Sequence, residues 1–223
     1  MNSLKMVVTN VSNYGFINLS IMILYELLYS LKKKYREQIF YDESITNKYY
    51  EIKNKSGIRK ESKLLYNAPY SPTPIFFLKL ILSNLNLNSK SLKNYFFIDF
   101  GCGAGRTLTF FHKVFQKKLG IDFNKKYRKF LPTGTFLNMD LRKINNIKKI
   151  FKKKNSSKYF LYFYEPFDEK LIKKIIKVFI RKKIFVVIVN VKNIKVKNLR
   201  FIYNKKFNNT AKNIKIYSNH YRI

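Results

Sequence analysis

Hydrophobic and polar positions divide the chain into a helical first part and an alternating second part. From Phe16 to Leu31 apolar residues are nearly continuous, interrupted by Asn18 and Glu26. The pattern predicts one long helix from Phe16 to Glu37, then a polar, tyrosine-rich stretch through Tyr41, Tyr49, Tyr50 and Glu51 that follows no period. The segment Tyr70-Ser71-Pro72-Thr73-Pro74 is a breaker that starts the next helix. Thr73 is suited to cap it and Pro74 to occupy its first position. The run IFFLKLILSNL from Ile75 continues that helix.

From Tyr95 onward, short apolar runs alternate with helical stretches. Strands are predicted at Tyr95 to Phe100, Lys118 to Asp122, Gly134 to Asp140, Tyr159 to Tyr164 and Ile184 to Val191. Helices are predicted at Arg106 to Lys117 and Glu169 to Arg181. Two tail runs, Arg200 to Phe207 and Ile214 to Asn219, flank Asn208, Asn209 and Thr210 and predict an antiparallel edge pair. Strand alternating with helix implies an α/β fold with a mostly parallel sheet and right-handed crossovers. A helical extension over residues 1–65 and one α/β domain over residues 66–223 suit a chain of 223 residues.

Composition alters this picture in one respect. The chain carries 46 Lys+Arg against 12 Asp+Glu, a net +34, which suggests a polyanionic partner such as nucleic acid or an acidic membrane. The lysines are spread over every segment, however, in a chain also rich in Asn, Ile, Phe and Tyr, which is the drift expected of A·T-rich codons. One cysteine and two histidines exclude an internal disulfide framework and make a metal centre an unexpected feature. A cytoplasmic location is expected, because the N-terminus lacks a secretory signal pattern. The apolar run from Phe16 is short for a bilayer span and contains Glu26. Since Lys32, Lys33, Lys34 and Arg36 follow it, peripheral contact of residues 16–36 with an anionic membrane stands as a second reading beside core packing.

The chemistry concentrates in Ile98-Asp99-Phe100-Gly101-Cys102-Gly103-Ala104-Gly105-Arg106. This turn sits where a buried strand ends and a helix begins, the ligand position of open α/β sheets. Its spacing is neither the dinucleotide pattern nor a P-loop. Between Glu61 and Glu165 the acidic residues are Asp99, Asp122 and Asp140, each at the expected carboxyl end of successive strands. Three carboxylates would repel a pyrophosphate but suit a ligand bearing an ammonium, a sulfonium and a ribose diol. S-adenosylmethionine has those groups. Asp122 also lies at the distance from the glycine turn at which an acid accepts ribose hydroxyls.

At these residues the sequence resembles the class I S-adenosylmethionine-dependent methyltransferases. IDFGCGAGR is similar to the family's first motif, LGID to its second-strand motif, Asn138-Met139-Asp140 to the third and Tyr164-Glu165-Pro166-Phe167 to the fourth. The resemblance covers residues 70–223 and implies a Rossmann-like seven-stranded sheet with a reversed final hairpin. YSPTP is similar to a group of bacterial members, some distantly like the Dot1-type protein lysine methyltransferases. By this resemblance Asp99 would orient the methionine ammonium, and Gly101, Cys102, Gly103 and Gly105 would line the methionine and ribose portions. Asp122 would hold the ribose, Asp140 the adenine amine with Met139 beside the ring, and Tyr70 and Thr73 would close over the carboxylate end. Bland roles compete: Asp122 as a cap before Asn124, and Asp140 as a cap before Leu141.

Glu165 is the candidate base, since it follows the fourth strand at the catalytic face. The alternative is that it terminates the strand and pairs with a lysine. Related motifs in amino-group nucleic-acid methyltransferases carry Asn or Asp and two prolines there, which this chain lacks. Cys102 reads as a small residue of the turn rather than a nucleophile, and His112 and His220 as packing residues. The methyl acceptor stays open between a protein or small molecule and RNA or DNA, the latter served by Lys152, Lys153, Lys154 and Lys158. A non-enzymatic protein that keeps only the nucleotide pocket is the remaining class.

Overall fold

A computed structural model describes residues 3–32, 73–85, 89–153, 156–164, 168–191, 194–208 and 212–220. Two helices come first, α1 (Ser3–Tyr14) and α2 (Phe16–Ser30), separated by Gly15 with φ 79°. The single helix expected from Phe16 to Glu37 thus ends at Ser30, and a separate helix precedes it. Tyr41, Tyr49, Tyr50 and Glu51 lie outside the described residues.

The α/β part runs α3 (Ile75–Ser83), α4 (Ser89–Lys93), β1 (Phe96–Phe100), α5 (Arg106–Phe110), β2 (Lys117–Asp122), β3 (Phe136–Asn138), α6 (Ile144–Lys153), β4 (Lys158–Tyr164), α7 (Glu169–Phe179), β5 (Lys183–Val189), β6 (Arg200–Lys206) and β7 (Asn213–Ser218). The predicted helix from Arg106 to Lys117 is shorter in the structure: α5 gives way to a 3₁₀ turn over Phe111–Lys113, and Lys117 already belongs to β2. Phe111 and Phe115 both pack on Phe97, with ring centroids 5.1 and 4.9 Å apart. Bringing both rings onto one strand residue accompanies the tightening of the chain beyond α5.

The seven strands are ordered β3-β2-β1-β4-β5-β7-β6. The first five pair in parallel, with Asp99 beside Gly120 of β2 and Tyr162 of β4. β7 runs antiparallel to both β5 and β6. The tail therefore forms the expected antiparallel pair, but the last strand lies inside it. Burial explains that order: β7 contributes Ile214, Ile216 and Tyr217 to the interior, whereas β6 alternates Tyr203 with Asn204 and ends in Lys205 and Lys206. A charged strand belongs on the edge, where its unpaired backbone meets water and its lysines discourage further pairing.

Strand parity sorts the side chains into two apolar layers. Phe97, Phe160, Tyr162, Phe185 and Val187 face α3 and the partly buried side of α2. Phe96, Ile98, Phe100, Leu161, Phe163 and Val186 face α6 and α7. Both faces of the central strands are covered, which is why they read as continuous apolar runs. The one acid in that run, Asp99, lies at the carboxyl end of β1.

Candidate active site

The glycine turn is built by backbone conformation. Gly101, Gly103 and Gly105 have φ of 78°, 50° and 78°, a region that costs side-chain-bearing residues energy. The turn closes through a Gly105 N–H bond to the Cys102 carbonyl at 2.9 Å. It is pinned to β2 by the Gly101 and Cys102 N–H groups, which both donate to the Ile121 carbonyl at 2.7 and 3.2 Å. Space is tight on both sides. A Cβ on Gly105 would stand 2.0 Å from Leu131 Cδ2, and one on Gly120 would stand 2.6 Å from Cys102 Sγ. Cys102 is buried there as a small packing residue, and burial pushes its thiol well above the usual range, opposite to what a nucleophilic thiolate needs.

Asp99 is 2% exposed and accepts a hydrogen bond from the Thr107 hydroxyl. Burial raises its pKa to about 7, with Thr107 opposing and the negative charge of Asp122 adding to the rise. Asp122, at the end of β2, reaches across to the turn. Its Oδ2 accepts the Gly103 N–H at 2.9 Å and its Oδ1 the Asn124 N–H at 2.8 Å. The cap before Asn124 is therefore formed, and the same carboxylate ties β2 to the glycine turn. Burial raises the pKa of Asp122 as well, against the hydrogen bonds from Asn124, Gly103 and Phe123. Of the ion pairs among the described residues, none includes Asp99 or Asp122.

Asp140 is placed differently. Two residues beyond β3, its carboxylate grips the Arg142 guanidinium with contacts of 2.8, 3.0 and 2.7 Å and accepts the Arg142 N–H at 3.0 Å. Arg142 holds its pKa below the ordinary carboxylate value. Asp140 thus carries a local cation, whereas Asp99 and Asp122 pair with none among the described residues. Met139 is buried in the layer that faces α6, and its N–H donates to the Asp122 carbonyl at 3.0 Å.

Beneath the turn lies a polar network that sequence reasoning missed. Arg106, 3% exposed, pairs with Glu26 of α2 at 2.7 Å and donates to the Thr73 carbonyl at 3.2 Å. The Thr73 hydroxyl does not cap α3; it bonds the Tyr162 hydroxyl at 2.9 Å. Glu26 takes the capping role instead, accepting the Ile75 N–H at 2.9 Å. The lone acid in the apolar run of α2 was a signal for such a partner, since a carboxylate in that setting must be paired.

Tyr70 and Glu165 lie outside the described residues, as do Pro166 and Phe167. Lys152 closes α6 and Lys158 opens β4, so both lie at the amino edge of the sheet, away from the glycine turn. Lys152 and Lys158 thus flank the fourth strand at its amino end, not at the end that carries the glycine turn. His220 also lies at that far edge, bonded to Tyr95 and Ser218, and His112 donates to the Thr109 carbonyl. At the carboxyl edge the structure adds Phe123, an aromatic 58% exposed beside Asp122. It also adds an open concavity of about 670 Å³ lined by Lys125, Arg128, Lys129, Leu131 and Thr133.

No protein-family model matches the chain, and no curated relative matches it. Solved structures of similar shape include an S-adenosylmethionine-dependent methyltransferase from Anabaena variabilis, with TM-score 0.47, 12% identity, and coverage of 64% of this chain and 81% of that one. An rRNA methyltransferase from Streptomyces viridochromogenes aligns with TM-score 0.46 and 11% identity over 70% of this chain and 89% of that one. An S-adenosylmethionine-dependent methyltransferase from Archaeoglobus fulgidus aligns with TM-score 0.37 and 18% identity, covering 51% and 53%. The fold itself follows from the chain's own strand order: an α/β, Rossmann-like, mostly parallel seven-stranded sheet with a reversed seventh strand, preceded by N-terminal helices.

Proposed function

We propose that this chain is an S-adenosylmethionine-dependent methyltransferase acting on a protein or small-molecule acceptor. One observation carries the reading: a buried carboxylate, Asp99, and a half-buried one, Asp122, stand together at the glycine turn with no cationic side chain paired to them among the described residues of a +34 chain. Buried acids normally recruit a cation or shed their charge. A cationic ligand supplies that partner, so the residues present fit the group.

In this reading Asp99 orients the donor's ammonium and Asp122 offers its remaining lone pairs to the ribose hydroxyls. Gly101, Gly103 and Gly105 let the backbone come close, and Phe123 presents a flat apolar surface for the adenine. When bound, the sulfonium supplies a methyl group whose transfer leaves a neutral thioether. The protein then has to align the acceptor and remove its proton where it carries one. Glu165, following β4, is assigned the proton. Calorimetric titration with S-adenosylmethionine and S-adenosylhomocysteine tests the site, and no uptake of either would overturn it. Labelled-methyl transfer to RNA, protein and small-molecule fractions identifies the acceptor; binding without transfer to any fraction would mark a non-enzymatic pocket.

A nucleic-acid acceptor is the second reading. It is favoured by the basic concavity of Lys125, Arg128 and Lys129, on the segment that follows Asp122. Salt-dependent retention on RNA separates the two, because phosphate contacts release counterions. A slope near zero points back to the first reading.

A further inference from the structure

The two faces of α2 are both apolar, and only one of them packs on the protein. Ile21, Met22, Tyr25 and Tyr29 lie against the core. Phe16, Ile17, Leu24, Leu27, Leu28 and Leu31 lie on the opposite face and are exposed, Phe16 at 74%, Leu27 at 61% and Leu31 at 78%. At 100° per residue these six form one stripe, interrupted by the small Ser20 and about 22 Å long at 1.5 Å per residue. An exposed apolar patch of this kind marks an interaction surface.

Charge decides what lies on it. Glu26, the one acid among the first 36 residues, is turned inward and bound by Arg106. Lys32 follows the stripe, and the sequence continues with further lysines and Arg36. The ammonium groups of Lys32 and Lys79 rest over the rings of Tyr29 and Tyr25, beside the same helix. A second copy would bring another +34 to the contact, so self-association works against strong repulsion. An anionic surface gains from that charge. No helix among the described residues is long and apolar enough to cross a membrane, so the stripe suits insertion parallel to the surface.

We infer that the outer face of α2 docks on an anionic lipid bilayer, with the helix lying in the membrane plane. Apolar side chains enter the acyl boundary while Lys32, at the end of the stripe, meets the headgroups. This inference does not depend on the methyl-transfer reading.

The full chain contains no tryptophan, so Leu28→Trp places a single reporter on the stripe. In solution its emission is expected to be that of an exposed indole and readily quenched by acrylamide. With vesicles containing phosphatidylglycerol it shifts to the blue, and with pure phosphatidylcholine it shifts far less. Co-sedimentation of the unlabelled chain with the anionic vesicles should fall by roughly tenfold or more for Leu24→Asp/Leu27→Asp, a variant checked for native circular dichroism. A buried, unquenched indole before lipid is added would mean that the chain covers its own stripe, and a blue shift growing with protein concentration would mean a second copy does. Either result overturns the inference, as does an absence of any shift with anionic vesicles. Should the double variant fail to fold, the tryptophan reporter decides alone.

Discussion

Arg106, the first residue of α5, is clamped by Glu26 of α2, 80 positions earlier in the chain, through contacts of 2.7 and 3.3 Å. The guanidinium reaches Glu26 of α2 and the Thr73 carbonyl that precedes α3, and the same carboxylate also accepts the first N–H of α3. The N-terminal helices are thereby part of what holds the glycine turn in place. Removing Glu26 strands the buried guanidinium of Arg106. Glu26→Ala is expected to cost on the order of 3 kcal/mol in urea unfolding. Glu26→Gln keeps an acceptor for Ile75 and Arg106 and should lose about half as much. Equal losses for the two variants would show that the charge, not the hydrogen bonds, sets the effect.

Asp99 makes stability depend on pH in the direction opposite to a salt-bridged acid. Its pKa stands at about 7 in the folded chain against an ordinary 3.8. Below the lower value both states hold the proton and there is no effect. As pH rises from 3.8 to about 7, the unfolded chain loses its proton while the folded chain keeps it, so this residue's contribution to stability falls across that window and levels off above it. At about 1.36 kcal/mol per pH unit the loss is at most roughly 4 kcal/mol. Asp99→Asn removes the penalty, so its unfolding free energy relative to wild type should improve as pH is raised. Binding of a cationic donor draws the carboxyl toward its charged form. Titrations below pH 7 in buffers of different ionisation enthalpy should therefore register proton release, and the same binding at pH 8.5 should register little.

Asp122 has a structural and a proposed binding role, and the two are separable. Asp122→Ala leaves the Gly103 and Asn124 N–H groups without their acceptor, at about 1–3 kcal/mol in stability. It should also weaken S-adenosylmethionine binding by about tenfold or more. Phe123→Ala removes an exposed ring and should weaken binding with little change in melting temperature. An unchanged dissociation constant in Asp122→Ala, measured on folded protein, would withdraw the ribose assignment.

Gly105 combines a positive φ with a clash. Gly105→Ala would put its Cβ 2.0 Å from Leu131 Cδ2 at φ 78°, and about 1–3 kcal/mol of destabilisation is expected. Adding Leu131→Ala relieves the clash but not the backbone, so about 1 kcal/mol attributable to conformation should remain in the double-mutant cycle. Full additivity would show that the two residues do not bear on each other.

Much of this molecule is legible in one dimension. Continuous apolar runs mark strands covered on both faces, and the residues from Asp99 to Gly105 mark a tight turn from strand to helix, because backbone conformation and burial act within a few residues of one another. The antiparallel tail was legible for the same reason. Three things required the folded chain. Strand direction carries Lys152 and Lys158 to the amino edge, which no local pattern records. Asp122 reaches the Gly103 N–H, 19 positions earlier, because β2 lies beside β1 in the sheet. Thr73 gave up its cap to Glu26 because the half-buried Glu26 carboxylate finds its partners across long stretches of sequence. Local chemistry, then, was set by neighbours along the chain, while the Arg106–Glu26 pair was decided by which elements the sheet and helices bring together.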